Sequence, residues 1–488
     1  MDYIKKIEEN EGLQIKTLQD LVSIRSVVEN PVTTRDGEFY PFGRGVQDAF
    51  VYTLEKAAEM GFKTRNTDNY GGHIEFGKGD DIVGIICHLD VVSEGDKWSF
   101  PPFSGAVSEG YIYGRGVLDD KGPAVAVFFA MKALKDAGYE PRKRIRLILG
   151  LDEENFKWDG MKYYAQQEKM PDYGFTPDGV FPALYGEKGI VNFEIARKFE
   201  RKPSGGLELR SLSGGLAPNI VPEKARAVVK AEDTQVYELI RQSAAEYRER
   251  SGYRLNVRGV GKSLEITTEG KPAHGAEPEA GLNAISILMD FLGGLNFSDD
   301  DLNVFFDFYN RYIGFDFYGT QMGCGFEDDY SGKLTFNVGK ISYDRRAVTL
   351  TVNVRYPVTF TEEQVYEAIL PIIDRYDLGL IKGTGHRPVF MDPEGTMIRT
   401  LTEIYRKHTG DEKSLPQVTG IGTYARASAN IVAFGALFPG DPDLMHQKDE
   451  RLSLERFMTM TRIYADAIYS LSQPEFHLMQ EEQTNDQS

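Results

Sequence analysis

The sequence predicts an α/β protein with two domains, one built on a mainly parallel sheet and one formed by an inserted α+β segment. Chain length is the first reason, because 488 residues exceed what one hydrophobic core usually supports. Two short, mainly apolar runs at 82–87 and 145–149 are the second, since such runs are typical of strands buried on both faces. The third is their alternation with helical patterns.

The first domain begins with alternating helices and strands between Leu13 and about Gly189. Segment 122–138 has Pro123 near its start, is rich in apolar residues and closes on a glycine, which predicts a packed helix. Strands that alternate with helices of this kind favour a parallel sheet.

The pattern changes after Gly189 to polar–apolar strands such as Val348–Arg355 and helices such as Glu362–Tyr376, which predicts an α+β layer. Apolar spacings of three and four then predict two helices, 397–409 and 452–472, that rejoin the first domain. The predicted segments are 1–188 and 389–475 for the first domain, 189–388 for the inserted domain and 476–488 for a polar tail.

Composition narrows the class of partner and the compartment. The chain has 56 basic and 74 acidic residues, and the resulting charge of −18 disfavours nucleic acid and anionic membranes as partners. Cys87 and Cys324 are its only cysteines, so no disulfide framework or zinc finger can form. No secretory apolar core opens the chain, and no apolar run reaches the roughly 20 residues of a membrane span. We therefore expect a cytoplasmic enzyme.

His88, Leu89 and Asp90 follow the apolar run at 82–87, at the carboxyl end of a predicted buried strand. Open α/β sheets bind ligands at that end. A histidine that binds a metal through one ring nitrogen needs a partner on the other, and Asp90 can supply it. The structural alternative is a buried core histidine with satisfied hydrogen bonds.

Acidic residues also occur at two other ends of predicted elements, before a helix and after a strand. Asp119 and Asp120 lie in a glycine-rich turn before the helix at 122–138, where one of them could simply cap the helix. Asp152, Glu153 and Glu154 follow the run at 145–149. Three adjacent carboxylates repel one another, so either solvent or a bound cation must stabilise them. Solvation is the simple explanation, and a bound metal is the hypothesis that points to a function.

Three more candidates lie in loops. Pro177-Asp178-Gly179 is ordinarily a turn, and His446 lies in a polar loop that could cap the last helix. His274, within the segment 271–278, lies in a loop of comparable chemical promise.

Taken together, these motifs resemble the metallopeptidase family that contains aminoacylase, carnosinase and glutamate carboxypeptidases, most closely its PepV-type dipeptidases. The resemblance covers nearly the whole chain, and the motifs occur in the family's order. They are His88-Leu-Asp90-Val-Val, Gly114-Arg-Gly-Val-Leu-Asp119-Asp-Lys-Gly-Pro123, Asp152-Glu-Glu154, Pro177-Asp178, Gly186-Glu-Lys-Gly189 and His446-Gln-Lys-Asp-Glu450.

The resemblance implies a di-metal aminopeptidase-like catalytic domain. Asp119 would bridge two divalent ions, with His88 and Asp178 on one ion and Glu154 and His446 on the other. Asp90 would orient His88, and Glu153 would be the general base toward a metal-bound water. Such a base accepts a proton from the water and returns it to the leaving amine.

The resemblance also implies that the inserted domain is a lid that holds the substrate. Asn219 would hold a peptide end, His274 would stabilise the oxyanion, and Arg355 would bind a terminal carboxylate through two hydrogen bonds. Without the resemblance, a turn asparagine, a surface histidine and a strand-end ion pair explain them equally. Tyr424 and Arg426 resemble the family's substrate-side stretch, although both could instead support their loop.

The predicted function is therefore a metal-dependent dipeptidase that hydrolyses short unblocked peptides and acts as a monomer. Zinc is the first expectation for both ions, with manganese or cobalt as alternatives, because all three accept nitrogen and carboxylate ligands. An N-acyl-amino-acid deacylase or desuccinylase of the same family would need the same ligands. A noncatalytic, metal-stabilised peptide-binding protein is the third alternative, and Glu153 argues against it.

Overall fold

The two apolar runs form neighbouring strands, Ile82–His88 and Arg144–Gly150, in the computed structural model of the chain. The strands pair in parallel, with His88 beside Gly150, and the first strand is buried along its whole length. The structure describes residues 2–199 and 205–478. The predicted α/β class is confirmed.

These strands lie near the centre of one sheet. The four central strands run parallel to one another, whereas the pairings at both edges are antiparallel. Seven of its strands follow the order Leu184–Glu187, Ile431–Ala433, Tyr173–Thr176, Ile82–His88, Arg144–Gly150, Gly72–Phe76 and Lys63–Asn66.

Helices cover this sheet, and the predicted helix at 122–138 extends from Lys121 to Asp136. Thirteen of its residues are buried, as expected of a helix that is apolar on nearly every face. It packs against the last helix, Leu454–Leu471, which begins at the capping side chain of Ser453. The other helices of this unit are Tyr3–Glu9, Glu11–Val22, Arg44–Glu59, Asp159–Gln167 and Thr396–Thr409, with a 3₁₀ turn at Tyr424–Ala427.

Short strands complete the first unit and bring distant loops together. Gly179–Val180 pairs in parallel with Ala436–Leu437, and Arg451–Ser453 pairs with Tyr111–Tyr113. The remaining short strands of this unit are Val32–Thr33, Phe39–Tyr40 and Ala106–Ser108, whereas Val389–Phe390 and Gln417–Thr419 lie where the chain passes from one unit to the other.

The second unit contains a sheet in which every pairing between the described strands is antiparallel. Its order is Arg254–Val260, Ser263–Glu269, Lys224–Ala231, Leu207–Gly214, Thr335–Tyr343, Ala347–Tyr356, Gly189–Lys198 and Gly379–His386. The helices that accompany it are Gln235–Ser251, Ala284–Gly293, Asp300–Tyr312 and Glu362–Arg375, with a 3₁₀ turn at Pro278–Ala280 and a hairpin of Glu327–Asp328 and Gly332–Lys333. The predicted α+β class of the inserted segment is confirmed.

The chain crosses between the units more often than the sequence predicts. The second unit comprises 187–389 together with 418–421, and the first unit comprises the rest. Residues 418–421 were expected in the first domain, but the Lys188 N–H donates to the Thr419 carbonyl and the Arg355 guanidinium donates to the Gly420 carbonyl. These contacts attach the short segment to the second unit.

The sequence places the start of the polar tail at residue 476, but Phe476 packs into the first unit. Phe476 is buried against Tyr173, and the Lys143 ammonium donates to the Phe476 carbonyl at 2.6 Å. The part of the predicted tail from 479 to 488 lies outside the described residues. Within 2–199 and 205–478, no helix combines the length and the apolar character that crossing a membrane requires.

Candidate metal centre

His88 is the last residue of its strand, and each of its ring nitrogens lies within hydrogen-bond distance of an oxygen atom. Its Nε2 atom lies 2.9 Å from Asp119 Oδ1 and 3.8 Å from Asp178 Oδ2. Its Nδ1 atom lies 2.9 Å from the Asp90 carbonyl oxygen and 3.5 Å from Asp90 Oδ1. The Asp120 carboxylate accepts the His88 N–H at 3.0 Å, which fixes the strand end. The ring therefore presents Nε2 to the cluster of carboxylates.

Asp119 connects His88 to the second histidine. Its Oδ1 atom faces His88, whereas its Oδ2 atom lies 3.0 Å from His446 Nε2. His446 Nε2 also lies 3.1 Å from Glu154 Oε2, and the His446 side chain is half exposed. The two oxygens of one carboxylate thus point to two different ligand groups.

Two groups of potential ligands result, each with donor atoms within 4.8 Å of one another. The first contains His88, Glu153 and Asp178, and the second contains Asp119, Glu154 and His446. Imidazole and carboxylate donors suit zinc and other divalent transition metals. The predicted ligands converge in the first unit, and Glu153 joins the first group.

The electrostatics of the centre favour bound positive charge. Burial lowers the pKa of His446, but hydrogen bonds to Asp119 and Glu154 outweigh it and raise that pKa to about 11. Burial, then the nearby Asp178, raises the pKa of Glu153 well above its ordinary value. Within the described residues, buried Glu153 Oε1 has no hydrogen-bond partner. Crowded, buried carboxylates repel one another when all are ionised, and a bound divalent cation replaces that repulsion by attraction. The residues of the centre therefore fit such ions.

Asp90 does more than the sequence predicts. Its closest atom to the His88 ring is the backbone carbonyl oxygen, not the carboxylate. The carboxylate instead accepts the N–H groups of Glu153 at 3.1 Å and Glu154 at 3.0 Å. Asp90 thus connects the loop after one strand to the loop after the next and orients residues of both ligand groups.

Asp152 turns away from its two acidic neighbours. One of its oxygens accepts the Gly160 N–H at 3.2 Å, and the other accepts the Tyr424 hydroxyl at 3.4 Å. Trp158 donates its indole N–H to the Glu153 carbonyl at 3.0 Å. The three consecutive carboxylates therefore divide between a supporting network and the candidate metal centre.

Tyr424 is fully buried, with its ring 6.3 Å from the His88 ring in a T-shaped arrangement. The ring occupies the space that a side chain at Gly150 would need, since a Cβ atom there would lie 2.2 Å from the ring. Arg426 lies in the same 3₁₀ turn and is also buried. This placement favours the supporting role that the sequence left open for Tyr424.

We expect Gly150→Ala to lower the free energy of unfolding by about 1–3 kcal/mol, because the added methyl group must displace the Tyr424 ring. Gly12→Ala is the control, since no atom beyond its chain neighbours and its own helix lies within 4 Å of the added Cβ, and this helical position should be slightly stabilised by about 0.5–1 kcal/mol. Urea denaturation of both variants measures the difference. Equal unfolding free energies would contradict this description of the Gly150 contact.

The second unit gathers the predicted substrate residues near one another. The Gly275 N–H donates to the Asn219 carbonyl at 2.7 Å, which places His274 beside Asn219. Arg355 is buried, pairs across the sheet with Thr335, and donates to the Asn353 side chain at 3.1 Å. The Thr335 hydroxyl in turn donates to the Gly275 carbonyl at 3.4 Å. The roles of Asn219, His274 and Arg355 stay predictions.

Three residues that support the centre have no role in the site predicted from sequence. Asp120 accepts the His88 N–H, the Glu450 carboxylate accepts the N–H groups of Gly116 and Leu118, and Trp158 binds the Glu153 carbonyl. Asp120 and Glu450 lie inside the recognised motifs, and their acidic side chains beside metal ligands are the signal that could have identified them. Trp158 had none, because its contact with Glu153 depends on a turn in which Trp158 adopts a φ of 53°.

Comparison with known proteins places the chain among peptidases. A sequence profile described as peptidase family M20/M25/M40 matches residues 84–470. A Staphylococcus haemolyticus protein named "Putative dipeptidase" is 39% identical over 474 residues, which cover 96% of this chain and 98% of the relative. Human carnosine dipeptidase 1 has a TM-score of 0.53 at 14% identity, covering 96% of this chain and 99% of its own. The Saccharomyces cerevisiae di-peptidase Dug1p has a TM-score of 0.55 at 13% identity, covering 97% and 98%. Both structures share the fold.

Proposed function

Because the chain belongs to peptidase family M20/M25/M40, we propose that it is a metal-dependent dipeptidase that hydrolyses short peptides with free ends. Family membership makes it a metallopeptidase that acts on peptide bonds with divalent cations. The dipeptidase assignment is supported by relatives that carry this name across nearly the whole length of the chain.

The single observation that carries the proposal is the position of Asp119 between His88 and His446. We propose that Asp119 contacts two cations, that His88 and Asp178 hold the first, and that Glu154 and His446 hold the second. When bound, paired divalent cations polarise a substrate carbonyl and make water a stronger nucleophile at neutral pH.

Glu153 is proposed to move the proton. Its carboxylate lies in the ligand group of His88 and Asp178, and its Oε1 atom has no partner among the described residues. A carboxylate in this position can accept a proton from water and return it to the leaving amine. Asp90 and Trp158 hold the Glu153 backbone, so the carboxylate is oriented before the substrate arrives.

We propose that the lid is the inserted segment 189–388, which makes up most of the second unit. Asn219 would hold one end of the peptide, and His274 would stabilise the oxyanion of the tetrahedral intermediate. Arg355 would bind the carboxylate end. Their grouping around Gly275 and Thr335 supports a shared role in substrate binding.

We further propose zinc as the metal, with manganese or cobalt as alternatives, and a cytoplasmic monomer as the working form. Imidazole and carboxylate donors support all three metals. Cys87 and Cys324 are both free and buried, which supports a reducing compartment. The size of the second unit supports a monomer, because a large inserted domain can supply residues that a smaller one would have to take from a neighbouring subunit.

A substrate panel tests the dipeptidase assignment. We expect the metal-loaded enzyme to hydrolyse unblocked dipeptides at least about 10-fold faster, by kcat/KM, than the same peptides acetylated at the amino end, a difference of about 1.4 kcal/mol. Amino-acid release measured by chromatography provides the readout. N-succinyl and N-acetyl amino acids serve as the comparison, and preferential hydrolysis of these would favour the deacylase alternative.

A further inference from the structure

We infer that Glu450 is a positioning residue that fastens the loop carrying Asp119 to the loop carrying His446 and thereby sets the geometry of both ligand groups. This inference rests on the proposed function, because it concerns the binding of the two cations. Glu450 belongs to neither ligand group, so this role is additional to those of the proposed ligands.

The Glu450 carboxylate accepts hydrogen bonds from three residues of the turn before Asp119. Its Oε1 atom accepts the N–H groups of Leu118 at 2.8 Å and Gly116 at 3.1 Å. Its Oε2 atom accepts the Gly116 N–H at 3.0 Å and the Arg115 guanidinium at 2.7 Å. The Glu450 carbonyl also accepts the Gly114 N–H at 3.0 Å. Glu450 thus contacts four residues of the turn, Gly114 through its backbone carbonyl and Arg115, Gly116 and Leu118 through its carboxylate.

Burial makes these contacts hard to replace. Glu450 is 0% exposed and Arg115 is 2% exposed. Removing one member of a buried ion pair leaves the other charge without compensation in a poorly polarisable environment. The Arg115 guanidinium also lies over the Trp98 ring at 5.2 Å, and Asp449 accepts the Ser99 N–H at 2.6 Å. The loop at 446–450 is therefore held on two sides.

The residues that make these contacts lie close in sequence to two of the proposed metal ligands. Leu118 directly precedes Asp119, and Glu450 follows His446 by four residues. Asp119 Oδ2 and His446 Nε2 lie 3.0 Å apart. A shift of the turn against the His446 loop would therefore change that separation directly. Residues that orient metal ligands typically contribute about 10–100-fold to metal affinity.

Glu450→Gln tests the inference sharply. The amide has one oxygen and one NH₂ group, and each carboxylate oxygen of Glu450 accepts two N–H donors. In either orientation the NH₂ group therefore faces two donors. We expect the folded, metal-stripped variant to bind Zn²⁺ at one or both sites about 10–100-fold more weakly than the wild type, measured by isothermal titration calorimetry with a competing chelator.

Two further variants keep the test decisive. Glu450→Asp retains the charge but is one methylene shorter, so we expect it to fold and to bind Zn²⁺ more weakly. Glu455→Gln changes an exposed residue of the following helix and should bind Zn²⁺ like the wild type. A purely structural role would lower the unfolding temperature of the metal-free variants and leave Zn²⁺ affinity unchanged. Wild-type affinity in folded Glu450→Gln or Glu450→Asp would overturn the inference, whereas a wild-type protein that binds no divalent metal would refute the proposed function itself.

Discussion

Replacing Glu153 by glutamine is expected to reduce kcat for dipeptide hydrolysis by about 10²–10⁴-fold, the usual contribution of a positioned acid–base group. The amide fills the same space but cannot accept a proton. Glu153 is buried within the ligand group of His88 and Asp178, and its backbone is fixed by Asp90 and Trp158. Steady-state kinetics with a dipeptide substrate provide the measurement.

Metal content separates loss of the base from loss of a ligand. We expect Glu153→Gln to keep two divalent ions per chain by elemental analysis, and Glu153→Asp to retain a small part of the activity. Unchanged turnover of a pure, metal-loaded Glu153→Gln preparation would exclude Glu153 as the base. Loss of one ion together with the activity would instead assign Glu153 a ligand role.

Three of the candidate ligands could be predicted because they lie beside elements whose sequence pattern is local. His88 is the last residue of one buried strand and Glu154 lies four residues after the next, and because these strands pair in parallel, both residues lie at the same edge of the sheet. Asp119 lies two residues before a helix with a high apolar content. Short stretches of sequence determine where the parallel strands end and where the helix begins. The positions of these three ligands follow from those element ends.

The supporting contacts could not be predicted, because they depend on side-chain directions and on distant segments. A spacing of two residues does not reveal that Asp90 turns its carbonyl to His88 and its carboxylate to the next loop. Tyr424 reaches Asp152 across 272 positions of sequence. Phe476 looked like part of a polar tail because its burial depends on Tyr173 and Lys143, which lie far away in the chain.

Asp119→Asn is expected to have an equally large effect through metal binding. The substitution leaves one oxygen and places an NH₂ group toward either His88 or His446, so one ligand group loses its shared donor. We expect the variant to retain no more than one ion per chain after dialysis. We also expect kcat/KM to fall by at least about 10²–10³-fold, because losing even one fixed electrostatic stabiliser of a transition state costs that much.

Asp120→Asn is the matched comparison, because Asp120 is the adjacent buried carboxylate but binds the His88 N–H rather than the ligand side of the ring. An asparagine at this position can still accept that N–H through its amide oxygen, so metal content should stay at two ions. Excess Zn²⁺ should not restore Asp119→Asn, since added metal cannot replace a missing bridging oxygen. If Asp119→Asn keeps two ions and wild-type turnover, no carboxylate bridge is needed, and the two ligand groups must act as separate sites.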